Sequence, residues 1–316
     1  MDSTRRMLRT YVVGLCMGSA DAVPGVSGGT IALIAGVYAR LIDAVTALTP
    51  RNGLRLLGAF VPPERTAIRD TFEDIDASFL FPLGVGILMA VVLVTRIVHV
   101  ADQNRPVALF GFFFGLIAAS VVVLSRQVEL TESRHVVAAG SGFLLAFVLS
   151  GDLTVLSGHA IPLTFLAGVV AVSAMILPGI SGSLMLVILG QYTFMSAELS
   201  TFVDRLVGAV SGSGPNGLLD PATTVVVFVL GGVVGLLTVS RAVDRALERD
   251  YETTLAFLVA LVAGALRAPI AEIGGRTTWT TATIGEFTAL AVIGAILLYA
   301  LDRYAIDVEI DRDGAE

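Results

Sequence analysis

Along the chain, long apolar runs alternate with short polar breaks. Residues 79–100 and 106–125 are each long enough to cross a hydrocarbon core about 30 Å thick, with a tight turn at 102–105 between them. Residues 135–150 make a shorter third crossing. Further on, 223–240, 254–267 and 283–299 are three more spans, the middle one short. Between them, 39–78 mixes Arg40, Arg51, Arg55, Arg65 and Arg69 with acids and Pro50, Pro62 and Pro63, and reads as a surface loop with short amphipathic helices. Residues 196–222 form a polar linker with a flexible glycine-serine stretch. From Asp302 an acidic tail follows. The pattern predicts an all-α polytopic membrane protein.

Two apolar segments, 11–38 and 161–195, are interrupted by Pro-Gly and are not simple spans. A shift of 154 residues lays one on the other, with identities at Ser19, Ala20, Pro24, Gly25, Ser27, Gly28, Ile34, Gly36 and Tyr38, nine positions of twenty. In each copy about fourteen residues flank the proline on either side, so each arm is roughly 21 Å as helix, too short for the bilayer. Each copy reads as a re-entrant helical hairpin turning at membrane depth. Non-helical backbone is tolerated there only where protein buries it or a wet cavity meets it.

The chain therefore divides into two repeats, 1–150 and 151–316, each a hairpin followed by three spans. A hairpin crosses an even number of times or not at all, and three is odd, so the second repeat is inverted relative to the first. Arginine placement agrees. With the N-terminus cytoplasmic, fifteen of twenty arginines fall inside and only Arg96, Arg105, Arg205, Arg267 and Arg276 fall outside, which also puts the C-terminus inside. Arg5 and Arg6 then read as a positive-inside anchor rather than a twin-arginine signal. The expected location is the cytoplasmic membrane.

Composition sharpens this. Hydrophobic residues make up 55% of the chain and charged residues 15%, outside soluble norms. All twenty basic residues are Arg, and the net charge is −7. That balance suggests a salt-adapted or GC-rich source and argues against nucleic acid as partner. The lone Cys16 permits no intrachain disulfide.

The chemistry concentrates at the two breaks. At Gly25, Ser27, Gly28, Gly29 and Thr30, and at Gly179, Ser181, Gly182 and Ser183, successive amides open a helix beside hydroxyls. Amides, dipole and hydroxyls together suit an anion such as phosphate. Close packing of small residues is the plain alternative, but packing needs no interrupted helix. Asp21 lies inside the apolar arm and is replaced by Met175 in the second copy. It carries a proton or coupling cation such as sodium, caps the turn, or meets water. Arg96 and His99, one turn apart, contact a headgroup or snorkel to the interface. His99, His135 and His159 have no metal-ligand spacing, and no enzyme constellation or cofactor motif is present.

Met17-Gly18-Ser19-Ala20-Asp21-Ala22-Val23-Pro24-Gly25-Val26-Ser27-Gly28-Gly29-Thr30 and Ala174-Met175-Ile176-Leu177-Pro178-Gly179-Ile180-Ser181-Gly182-Ser183, with Gly190 and Tyr192, resemble the paired signatures of the PopT family, domain of unknown function 368. The resemblance covers nearly the whole chain. It implies a flippase returning polyprenyl monophosphate, the undecaprenyl or, in a salt-adapted archaeon, dolichyl-type lipid carrier, from outer to inner leaflet. It bears on the two motifs only, not on Arg96 or His99. Membrane-embedded polyprenyl-diphosphate phosphatases share the inverted hairpins, but carry an Arg after the Ser of the turn, where Gly28 and Gly182 stand here, and add glutamates and a histidine. Without that cation and base, phosphoryl transfer loses its stabilisation. A small-anion transporter uses the same amide nests, and a homo-oligomer is compatible with the chain.

Overall fold

The computed structural model describes residues 3–46, 76–150, 160–175, 181–214 and 216–313. The described residues are helical throughout their regular elements. In order these are α1 (Ser3–Ala22), α2 (Gly28–Ala35), α3 (Tyr38–Thr46), α4 (Ala77–Asn104), α5 (Pro106–Ser125), α6 (Ser133–Leu149), α7 (Ile161–Ala174), α8 (Gly182–Ile188), α9 (Tyr192–Gly208), α10 (Leu219–Arg249), α11 (Tyr251–Gly264), α12 (Arg267–Arg276) and α13 (Thr281–Asp313).

Five spans among the described residues are long and apolar enough to cross a bilayer: Ala77–Asn104, Pro106–Ser125, Leu219–Leu236, Tyr251–Arg276 and Thr281–Tyr304. Their outward faces carry Phe81, Leu88, Val226 and Ile296, all more than half exposed. Such faces are stable only against lipid. The protein is an all-α multi-pass membrane protein. The expected short span 254–267 is longer than its apolar run implied. It breaks at Ala265 and Leu266 and resumes as α12, with Pro269 in the first turn, where a missing N–H costs nothing. Most of the expected loop 39–78 lies outside the described residues.

Packing sorts the chain into two compact units. The first holds 1–20, 28–91 and 305–316. In it α1 lies on α4, with Gly14 against the Leu83 carbonyl and Gly18 against Ile87 and Ala90. Arg40 ties α3 to the start of α4 through Asp76 at 2.6 Å, and its guanidinium lies over the Phe79 ring. The second unit holds 21–27 and 92–304. Its centre is α5, which buries Leu109, Phe113, Leu116, Ile117, Ser120 and Leu124 along one helical stripe. Around it the helices meet at glycines, where a missing side chain lets backbones touch. Gly168 of α7 meets the Phe228 carbonyl of α10, Gly142 of α6 that of Phe257 on α11, and Gly115 of α5 that of Ala291 on α13. The compact units are set by packing and do not coincide with 1–150 and 151–316.

The two interrupted segments end their second helices alike. Gly36 and Gly190 have φ of +70° and +63°, and the next residue donates back five positions, Val37 to Ala32 at 3.0 Å and Gln191 to Leu186 at 2.8 Å. This is the Schellman C-cap, which needs a left-handed residue and takes glycine. The helices after the turns are therefore eight and seven residues, about 12 Å, rather than fourteen. A new helix starts at the tyrosine, and α8 and α9 meet at 118°.

Candidate functional site

The first tip begins where α1 stops. Val26 N–H donates to the Val23 carbonyl at 3.3 Å, across Pro24 and Gly25. With Pro second, and Gly third at φ +89°, this is a type II turn. Pro24 is fully buried. Gly25 lies against α5, where a Cβ would come 3.0 Å from Ser120 Oγ and 3.2 Å from the Leu116 carbonyl carbon.

A helix end at an apolar depth leaves carbonyls without donors, and an orphaned carbonyl is costly. Two side chains supply donors here. Ser120 Oγ, 2.7 Å from the Gly25 carbonyl, donates to it or to its own Leu116 carbonyl at 2.9 Å, having one proton for both. Tyr192, the first residue of α9, donates its phenolic proton to the Ala22 carbonyl at 2.6 Å. Ser27 then leads into α2. Ser27, Gly29 and Thr30 are half-buried and Gly28 is buried. Asp21 sits half-buried in the last turn of α1.

At the second tip, residues 176–180 lie outside the described residues, and Gly179 is among them. Ser181 occupies the cap position before α8 in extended backbone, yet its hydroxyl does not cap the helix. It pairs instead with Ser183 Oγ at 2.7 Å, and both residues are buried. One hydroxyl donates to the other, which leaves a single proton for a third acceptor. Gly182 is pressed onto α7, where a Cβ would meet the Ala171 carbonyl at 2.6 Å. A neutral, buried hydroxyl pair of this kind can give one hydrogen bond to an anionic oxygen without a fixed charge.

Arg96 and His99 are engaged elsewhere. The Arg96 guanidinium is ion-paired with Asp204 on α9, and both side chains are about half exposed, at 55% and 53%. His99 Nε2 lies 3.0 Å from the Gln103 amide in the next turn. An exposed ion pair contributes about 1 kcal/mol or less, so Arg96 and Asp204 tether the end of α4 to α9 weakly. Sequence reasoning missed Ser120 as a tip residue. Its one signal is a hydroxyl standing alone within the apolar run 107–124.

Residues 17–288, which span both tips and reach into α13, match the model of the undecaprenyl phosphate translocase-like (VCA0040-like) family. A protein of Vibrio cholerae named polyprenyl-phosphate transporter is 33% identical over 268 residues, covering 83% of this chain and 77% of that protein. Another of that name, from Staphylococcus aureus, is 29% identical over 267 residues, covering 81% and 83%. No solved structure matches. With the family model covering most of its length and both glycine-rich tips, the chain belongs to the undecaprenyl phosphate translocase-like family.

Proposed function

We propose that the protein is a polyprenyl-phosphate flippase that recycles the monophosphate lipid carrier from the outer to the inner leaflet of the cytoplasmic membrane. The observation that carries this reading is the first tip, a helix interrupted at Pro24 and Gly25 whose freed carbonyls are supplied with side-chain donors. A chain that needed only to pack would keep the helix intact. Relatives named as transporters, not enzymes, support the same reading.

In this account the phosphate is bound through Gly25, Ser27 and the amides that follow at Gly28, Gly29 and Thr30, and through Gly179, Ser181, Gly182 and Ser183, while the prenyl tail stays in lipid. The two repeats are inverted, with both termini cytoplasmic. The pairing of helices supports that symmetry. The arm α1 rests on the next span α4 as α7 rests on α10, and α5 meets α13 as α6 meets α11. Alternating access would follow from one repeat rocking against the other.

Asp21 is the coupling group. In the last turn of α1 its ionised carboxylate faces the negative end of the helix dipole. A bound proton or sodium ion removes that cost, and releasing it gives the cycle a direction. Arg96 and His99 contribute to headgroup capture only if the lipid displaces Asp204 and Gln103. The test is exchange of a labelled polyprenyl phosphate between leaflets of proteoliposomes at several pH values and sodium concentrations. Exchange above empty liposomes is expected, with a pH or sodium dependence that Asp21→Asn abolishes. Exchange no faster than in empty liposomes rejects the flippase, and an Asp21→Asn variant whose exchange rate, pH profile and sodium dependence are all unchanged rejects the coupling role alone.

A further inference from the structure

The donor to the Ala22 carbonyl comes from the far end of the second hairpin. Tyr192 is buried, its ring meets Phe113 of α5 edge to face at 5.3 Å, and its hydroxyl shares a hydrogen bond with Ser196 one turn on. Phe113 and Ser120 lie two turns apart on the same face of α5, so one helix supports both the tyrosine ring and the Gly25 carbonyl. On the other side, only the rest of the seven-residue helix α8 and the cap at Leu189, Gly190 and Gln191 separate the Ser181–Ser183 hydroxyl pair from Tyr192. A seven-residue helix with a fixed C-cap is a stiff connection. Motion at its first residues is passed to its last. Tyr38, which matches Tyr192 at the shift of 154, is 40% exposed.

We propose that Tyr192 is a positioning residue that ties the first tip to the second hairpin through the Ala22 carbonyl, so that phosphate bound at Ser181 and Ser183 is registered at Ser27. The last step rests on the flippase reading, whereas the tie itself does not. Tyr192→Phe keeps the ring on Phe113 and removes the only atom the tie needs.

The experiment reads the tip directly. In a Cys16→Ser, Ser27→Cys background, maleimide labelling at position 27 is timed in liposomes with and without polyprenyl phosphate. Adding Tyr192→Phe is expected to speed lipid-free labelling about tenfold, because the carbonyl it leaves buried without a donor favours an opened tip. It is also expected to remove the slowing caused by the lipid. Adding Tyr38→Phe is expected to change neither. In the otherwise native chain, Tyr192→Phe raises the half-saturating lipid density more than it lowers the maximal exchange rate. Should Tyr192→Phe not fold, Ser196→Ala removes the phenol's second partner and is expected to give a smaller acceleration of the same sign. Labelling at the parent rate in folded Tyr192→Phe, or in Ser196→Ala where Tyr192→Phe does not fold, overturns the proposal. Faster labelling in a protein whose parent exchanges no lipid leaves the tie standing and rejects only the flippase.

Discussion

Gly25→Ala isolates what the first tip requires. At φ +89° an L residue costs about 1–2 kcal/mol relative to glycine. The new Cβ would lie 3.0 Å from Ser120 Oγ, 3.2 Å from the Leu116 carbonyl carbon and 3.3 Å from Ile117 N. Two of these atoms are helix backbone and cannot rotate away, so overpacking adds about 1–3 kcal/mol. Displacing the Gly25 carbonyl from Ser120 forfeits about 1 kcal/mol more. The sum is roughly 3–6 kcal/mol, which at about 1.4 kcal/mol per decade lowers the population of the native tip more than a hundredfold. Gly190→Ala is the matched control: φ is +63°, but no atom lies within 4 Å of its Cβ, so only the backbone cost of about 1–2 kcal/mol applies. Asparagine tolerates this region and should recover part of the loss at 190 but none at 25. The assay is leaflet exchange at matched incorporation, with melting temperature in detergent alongside. Exchange by Gly25→Ala equal to that of Gly190→Ala would refute the packing of the turn on α5.

Three further outcomes follow from the same geometry. Gly115→Ala forces α5 away from the Ala291 carbonyl and should lower the melting temperature, whereas Gly285→Ala, whose Cβ meets nothing within 4 Å, should leave it unchanged or raise it. The Asp76 carboxyl is held below its ordinary value, first by the hydrogen bond from Arg40. Its stabilisation is therefore complete above about pH 4 and lost as pH falls through the lowered value. Asp76→Asn should accordingly melt lower than the parent at neutral pH, by no more than the ~1 kcal/mol of an exposed pair, and the gap should close in acid. Ser181→Ala breaks the pair with Ser183 at 2.7 Å and should raise the half-saturating lipid density in the exchange assay severalfold while the protein still folds, since Ser183 keeps a hydroxyl free to rotate.

The spans were legible because length and unbroken apolarity decide them, and α4 and α5 lie within a few residues of their expected bounds; α6 also forms near its expected bounds, but its seventeen residues keep it outside the five spans. The length of α2 and α8 was not, because glycine serves two purposes in a membrane chain. Gly168 or Gly115 lets helices touch, whereas Gly36 and Gly190 end helices through left-handed backbone, and the letter is the same. The continuation of α11 into α12 was hidden by the charge of Arg267, whose guanidinium the fold satisfies through the Phe147 carbonyl at 2.8 Å and the Phe147 ring. At the tip, the Pro-Gly turn could be read from two adjacent residues. Its donors could not: Ser120 is 95 residues from Gly25 and Tyr192 is 170 from Ala22. Such pairings exist only once the helices are packed. Arg96 illustrates the converse, a cation that looked available until α9 brought Asp204 to it.

The central claim is that the protein moves an intact polyprenyl phosphate. Purified protein in liposomes carrying that lipid on one leaflet, with leaflet exchange and free phosphate followed in the same sample, tests it most directly. The account predicts exchange well above empty liposomes and no phosphate release. Phosphate release would contradict it and mark the two tips as an enzyme's, while absence of both signals would contradict it and point to an unlipidated anion as the cargo.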